Sequence, residues 1–120
     1  MPTLEKAILG RWSIVETEMW DREALDLVAP AHITFERDGL GQMELVAVRA
    51  SIDYRVADRA GTRVIELSWA GFDEMDPVSG RAWAEPDGDS IRGKIFIHRG
   101  DESEFVAKRS RRRMPTSPSR

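Results

Sequence analysis

Apolar side chains at every second position dominate the pattern of this chain and limit the folds that it can adopt. The alternation is clear over residues 31–36, 51–57 and 91–98. A period of two is typical of strands that bury one face and expose the other. Strand signals recur roughly every 8 to 15 residues, separated by turns that carry Gly, Asp or Pro. The pattern predicts an antiparallel all-β meander of about eight strands, which is enough to close a small barrel.

Two short segments favour helix. Residues 3–9 fit one or two turns, with Thr3 as the N-cap and Gly10 as the stop. Residues 21–30 fit a short helix that Asp21 caps and that ends before Pro30. The second helix lies between strands one and two, so we expect it to cross one end of the sheet. The predicted fold is therefore a small up-and-down barrel with a short helix between its first two strands.

The alternating segment over residues 42–57 is longer than an average strand. We interpret it as two strands, 42–48 and 51–57, with the break at 49–51. The Asp38-Gly39 pair just before this segment predicts a hairpin turn.

Composition narrows the class of protein. A chain of 120 residues is one domain by the usual length relation. The absence of Cys excludes disulfides and thiolate metal sites. No apolar run approaches the roughly 20 residues of a membrane-spanning helix, and the N-terminus lacks the pattern of a secretory signal. We therefore expect a cytoplasmic protein without a membrane partner.

Charge is distributed unevenly along the chain. Of the 18 basic residues, five are Arg residues within 109–120, which leaves 13 basic residues against 21 acidic ones in 1–108. We predict a barrel domain over 1–108 and a basic, disordered tail over 109–120. An acidic body repels nucleic acid, so we expect no nucleic-acid partner.

A short motif follows the first predicted helix. Gly10-Arg11-Trp12 gives a G-x-W string at the start of strand one, and in this it resembles the calycin superfamily of lipocalins and fatty-acid-binding proteins. The resemblance implies a ligand-binding barrel in which Trp12 closes one end. It also implies a cation–π contact from a basic side chain of the last strand, which here would be Arg109 or Lys108.

Three longer strings resemble a family of small bacterial proteins without an assigned function. They are W-x-G-F-D-E-M-D-P-V-S-G-R-A-W-A (69–84), G-K-I-F-I-H-R-G-D (93–101) and G-R-W-S-I-V-E-T-E-M-W-D (10–21). This resemblance implies a bacterial origin and no particular chemistry.

Strand one contains a conflict that suggests a ligand site. Regular alternation places Glu16 and Glu18 on the same face as Trp12 and Trp20. Either the strand bulges, or the carboxylates line a wet interior where they could hold a polar or cationic ligand. The predicted ligand-binding residues are Trp12, Glu16, Glu18, Trp20, Tyr54 and Trp69.

The densest acidic cluster lies between two strands of the hairpin over 64–85. Asp73, Glu74 and Asp76 are candidates for a hard cation such as Ca²⁺, although their spacing is not that of an EF-hand. The favoured interpretation is a turn that Asp76-Pro77 initiates and in which Gly80 supplies a positive φ. We therefore predict no metal and no cofactor.

Three functional hypotheses follow. The first is a non-catalytic β-barrel domain that binds a small molecule or a protein partner. The second is an enzyme in which Glu16, Glu18 and His98 carry out acid–base chemistry within the barrel. The third is a self-associating module, in which a strand edge or the Trp83 face pairs with a second copy to form a homodimer. No catalytic residue is assigned with the first hypothesis.

Overall fold

The computed structural model describes residues 3–110, and these residues form a closed barrel of eight antiparallel strands. Each strand pairs with its sequence neighbours, and the last pairs with the first. The strands are β1 (Gly10–Thr17), β2 (His32–Phe35), β3 (Leu40–Leu45), β4 (Val48–Arg59), β5 (Thr62–Asp73), β6 (Asp76–Asp87), β7 (Ser90–Ile97) and β8 (Glu102–Arg109). The prediction of a small up-and-down barrel is confirmed.

Both predicted helices are present, and both are one turn long. Helix α1 (Leu4–Ala7) begins where the Thr3 hydroxyl accepts a hydrogen bond from the amide of Lys6. Helix α2 (Arg22–Leu25) lies between β1 and β2, and the Asp21 carboxylate caps it by accepting from the amide of Ala24 at 2.9 Å. These caps satisfy amides that have no partner within so short a helix.

The turn between β3 and β4 lies at Val46 and Ala47, so the predicted break at 49–51 is wrong. Residues 49–51 instead continue β4 and pair regularly with β5. Val46 adopts a positive φ of 55°, and its amide donates to the carbonyl of Leu25 at 2.8 Å. The turn is therefore held by α2, which lies far away in the sequence. By contrast, the predicted turn at Asp38 and Gly39 is present, with φ values of 66° and 76°.

Inward side chains of all eight strands fill the barrel and form one apolar core. Because these side chains are buried against one another, the interior is a packed core. Each large apolar side chain that is fully buried contributes about 1.5–3 kcal/mol to the free energy of unfolding. The inward members of the core are Trp12, Ile14, Ile33, Phe35, Met43, Leu45, Ile52, Tyr54, Ile65, Leu67, Trp69, Ala82, Ala84, Ile91, Ile95, Phe105 and Ala107.

Trp12 closes the end of the barrel next to α1, which we call the α1 end. Its indole is 2% exposed, and Nε1 donates to the carbonyl of Ile8 at 2.9 Å. The Arg109 guanidinium lies 4.3 Å from the centre of the Trp12 ring and donates to the carbonyls of Leu9 and Ala7. The cation–π contact that the calycin resemblance implies is therefore made by Arg109, while Lys108 is exposed. We call the opposite end, next to α2, the α2 end.

The last strand extends through Arg109, which is also the first residue of the predicted basic tail. The remaining part of that predicted tail, 111–120, lies outside the described residues. Within residues 3–110, no helix combines the length and apolarity needed to cross a membrane.

Candidate functional site

A bulge at Val15 decides where the carboxylates of β1 point. Ile14 and Glu16 lie opposite consecutive residues of β8, so Val15 is an extra residue in β1. An extra residue reverses the alternation beyond it. Trp12 and Ile14 are buried in the barrel, whereas Glu16 and the following Glu18 are exposed on its outside. Of the two alternatives for this strand, the structure therefore has the bulge, and the carboxylates do not line the interior of the barrel.

Tyr54 lies towards the α1 end and contributes to its closure. Its ring meets Phe35 edge-on, with the ring centres 5.0 Å apart, and its hydroxyl donates to the carbonyl of Glu36. Burial raises the pKa of the Tyr54 phenol, and the negative charges of Glu5, Asp38 and Glu36 raise it further. This arrangement packs the ring into the core.

The raised pKa of Tyr54 predicts a loss of stability at alkaline pH. The unfolded chain releases the phenolic proton near pH 10, before the folded chain does, so the free energy of unfolding should fall as pH rises from about 10 through the raised pKa. Below about pH 10 this contribution is fully present. Because Tyr54 is the only Tyr in the chain, the absorbance of phenolate reports its titration directly.

The Tyr54→Phe variant is the control for that measurement. It should lose about 1 kcal/mol at neutral pH, since the hydrogen bond to Glu36 is removed, and its stability should fall less between pH 10 and the end of the titration. A phenol that titrates in the folded protein at its ordinary pKa would contradict the prediction.

The α2 end contains an apolar cavity of about 120 Å³ that reaches the surface. Trp20, which is half-buried, and Trp69, which is buried, both contribute to its wall. The exposed residue Asp73 lies at its rim. We call this space the mouth cavity, and it is lined by Trp20, Met43, Leu45, Val46, Val48, Trp69, Asp73, Val78, Ile95 and Ile97. Two of the six predicted ligand-binding residues are thus brought together here.

Hydrogen bonds fix the Trp69 indole and the backbone segment that carries Trp20. The Trp20 amide donates to the Thr17 hydroxyl at 2.9 Å, and the neighbouring amide of Met19 donates to the Ser103 hydroxyl at 3.1 Å. Trp69 Nε1 donates to the carbonyl of Arg81 across the β5–β6 pair at 3.3 Å. The cavity wall is therefore preorganised, which lowers the entropy lost on binding.

The acidic cluster lies at the two-residue turn Glu74–Met75 between β5 and β6, at the α2 end. Asp76-Pro77 begins β6 after this turn, so the expectation that this pair initiates the turn is wrong. Glu74 adopts the positive φ of this turn, 58°, whereas Asp76 already begins β6 and pairs with Asp73. The expectation that Gly80 supplies a positive φ is wrong, because Gly80 lies buried within β6. Among residues 3–110, no group of three or more acidic or His side chains is placed to hold a metal ion.

A larger concavity than the mouth cavity lies on the outside of the barrel, across β4 to β7, and has a volume of about 570 Å³. The register of the sheet explains why the surface is concave here. Ser68 is the outward residue of β5 and lies between the longer side chains of Asp53 on β4 and Arg81 on β6. We call this the outer groove, and its polar and aromatic lining consists of Asp53, Tyr54, Arg55, Arg59, Glu66, Ser68, Arg81, Trp83, Phe96 and His98.

A second exterior groove, of about 380 Å³, lies over β1, β7 and β8 and adjoins the outer groove at Trp83, which lines both. Glu16 and Glu18 line it, together with Glu104 and Arg92. His98 belongs to the outer groove instead, where its Nδ1 lies 3.4 Å from the hydroxyl of Ser79. The three residues of the acid–base hypothesis are thus divided between two grooves.

The outer groove was missed by the sequence reasoning. The signal was present in the outward positions of the hairpin, where small Ser68 on β5 lies between the longer side chains of Asp53 and Arg81. Alternation predicts which residues face outward. The shape of the outer surface depends in addition on the register between strands, which the sequence pattern does not give. No protein-family model, curated protein or solved structure matches this chain.

Proposed function

We propose that this protein is a non-catalytic binding domain that takes a small apolar molecule, or the apolar end of a longer one, in the mouth cavity. The observation that carries the proposal is the position of Trp20 and Trp69, which line one cavity at the open end of a barrel that Trp12 closes at the other. The mouths of β-barrels are frequent locations of small-molecule sites, which are mostly apolar with few polar groups.

The volume of the mouth cavity sets the size of the group that it accepts. A dry apolar cavity of roughly 150 Å³ holds benzene or xenon. At about 120 Å³, the mouth cavity suits a group no larger than one aromatic ring or a short alkyl chain. A polar group on the same ligand would remain at the rim, where Asp73 is exposed to water.

The surroundings of the mouth cavity favour an apolar ligand. Six large apolar side chains are exposed among the described residues, and five of them lie at the α2 end, on or beside the segments that surround the cavity. Exposed apolar surface that is concentrated around an opening is typical of a binding site. These five are Met19, Leu27, Val28, Phe72 and Met75.

Benzene and xenon are suitable probes for this proposal. In a methyl NMR titration of the full chain, we expect saturable shifts at Val48, Val78 and Ile95, which line the mouth cavity. The methyl groups of Ile33 and Ile91, which lie in the core but not in the cavity wall, should not shift.

Val78→Phe tests the site because it fills the mouth cavity from a half-buried position. We expect it to weaken benzene binding at least about tenfold. Val56→Phe is the matched control, since Val56 is also half-buried and packs against the core but does not line the cavity. The proposal fails if no methyl group shifts saturably, or if both variants weaken binding equally.

The two other hypotheses receive less support. Glu16 and Glu18 line a different groove from His98, so no observation favours acid–base chemistry by these three residues. Pairing through a free strand edge also lacks support, because each of the strands β1–β8 pairs on both sides within residues 3–110. The Trp83 ring is partly covered by Arg59, whose guanidinium lies 4.6 Å from the ring centre.

A further inference from the structure

The outer groove combines cationic and aromatic side chains in a concavity that is large enough for a small molecule. Its volume of about 570 Å³ lies within the range of roughly 300–1,000 Å³ that is usual for ligand pockets. It lies on the outside of the barrel and shares no lining residue with the mouth cavity.

Arg81 is the central cation of this groove. In the register of the sheet its outward neighbours are Ser68 on β5 and Phe96 on β7, neither of which carries a charge. Among the described residues, Arg81 forms no ion pair. A guanidinium presents a planar fork of N–H donors that matches a carboxylate or a phosphate.

The other charges of the outer groove leave it cationic. Arg55 is paired with Glu66, with Nη2 and Oε1 3.1 Å apart, so these two charges balance. Of the other charged side chains that line the groove, Arg59 and Arg81 are positive and only Asp53 is negative. Arg59 lies over the Trp83 ring, which holds its guanidinium at the groove wall without neutralising it.

Two aromatic rings flank Arg81 on the outer face of the sheet. Trp83 lies two residues further along β6, and Phe96 lies directly opposite on β7. Same-face neighbours at these positions are about 5–8 Å apart, so a flat ring could pack against one of them while its anionic group meets Arg81.

From these contacts we propose that the outer groove binds a small organic anion that carries an aromatic ring. Arg81 receives the anionic group, Arg59 supplies a second positive charge, and either Trp83 or Phe96 packs against the ring. The anionic group is a carboxylate or a phosphate, since both fit the guanidinium fork.

Four probes separate the contributions of charge and ring. Benzoate and phenyl phosphate carry both features, acetate lacks the ring, and benzamide lacks the charge. In titrations followed by the indole and backbone NMR signals of Trp83, we expect benzoate, phenyl phosphate or both to bind saturably. Acetate and benzamide should bind at least about tenfold more weakly. The stronger of the first two probes identifies the anionic group.

Arg81→Gln should weaken the binding of the stronger probe at least about tenfold, because a hydrogen-bonded ion pair is lost. Arg63→Gln is the matched control: Arg63 is an exposed residue of β5 that does not line the groove, and its change should alter affinity less than about twofold. Val78→Phe should leave this binding unchanged, which separates the outer groove from the mouth cavity.

Three results would overturn the proposal. The first is that neither benzoate nor phenyl phosphate binds saturably. The second is that acetate binds as tightly as benzoate, which would remove any role for the rings. The third is that Arg81→Gln and Arg63→Gln weaken binding to the same extent, which would indicate a general effect of net charge.

Discussion

Trp12→Ala should lower the free energy of unfolding by about 3–5 kcal/mol, which is a large fraction of the stability of a domain of this size. The Trp12 ring is 2% exposed and fills the α1 end of the barrel. Its removal leaves a cavity, deprives the carbonyl of Ile8 of its indole donor, and leaves the guanidinium of Arg109 without the ring beneath it. Urea unfolding followed by far-ultraviolet circular dichroism measures the loss.

Trp83→Ala is the control for this expectation because it removes the same side chain from the outside of the barrel. Trp83 is half-buried and does not belong to the core, so we expect its loss to destabilise the protein by less than half as much as Trp12→Ala. Equal losses for the two variants would show that Trp12 does not close the barrel in the way that its contacts indicate.

Much of the fold could be predicted because local pattern and tertiary structure agree over most of the chain. Ile65, Leu67 and Trp69 alternate without interruption, and all three are buried in the barrel. The Asp38-Gly39 pair tolerates the positive φ values that a tight turn requires, and the turn is found there. Where a strand has one buried face and no bulge, the period of two in the sequence is sufficient to predict which side chains point into the barrel.

Two local features could not be predicted because distant segments determine them. Val46 has a positive φ although a β-branched residue rarely adopts one, and the partner that holds it there is the carbonyl of Leu25. The bulge at Val15 depends on the pairing of β1 with β8, near the other end of the chain. The sequence did show the conflict at Glu16, and the physical resolution of that conflict is the bulge.

The candidate sites were predictable in part. Trp20 and Trp69 were named as ligand-binding residues, and both line the mouth cavity. Trp12 and Tyr54 were also named as ligand-binding residues, and their rings lie at the α1 end, which the calycin resemblance implied for Trp12 but which no pattern indicated for Tyr54. Large aromatic side chains identify buried regions, but only the arrangement of the strands decides which of these regions contains free space.

Gly80→Ala should destabilise the barrel by about 3 kcal/mol, the upper end of the usual effect of overpacking a core. A Cβ atom at this position would lie 1.9 Å from the carbonyl oxygen of Phe96 and 2.7–2.8 Å from two atoms of the Trp69 ring. The carbonyl belongs to the backbone of the neighbouring strand and cannot rotate away. The pair β6–β7 must therefore separate locally, or the Trp69 ring must move.

Gly100→Ala is the matched control, because a Cβ atom there would approach only the side chain and carbonyl of Ile97, at 3.1 Å or more. Its effect should be below about 1 kcal/mol. Urea unfolding of the two variants provides the comparison, and similar losses would mean that the close approach at Gly80 has no energetic importance.

The double variant Gly80→Ala with Trp69→Phe separates the two contacts. If the ring contact dominates, the smaller ring should make the double variant's loss smaller than the sum of the two single losses, whereas a dominant contact with the Phe96 carbonyl leaves the losses additive. Because Trp69 also lines the mouth cavity, relief through movement of its ring should change the benzene-induced shifts in Gly80→Ala. Additive losses together with unchanged benzene shifts would place the whole effect in the separation of β6 from β7.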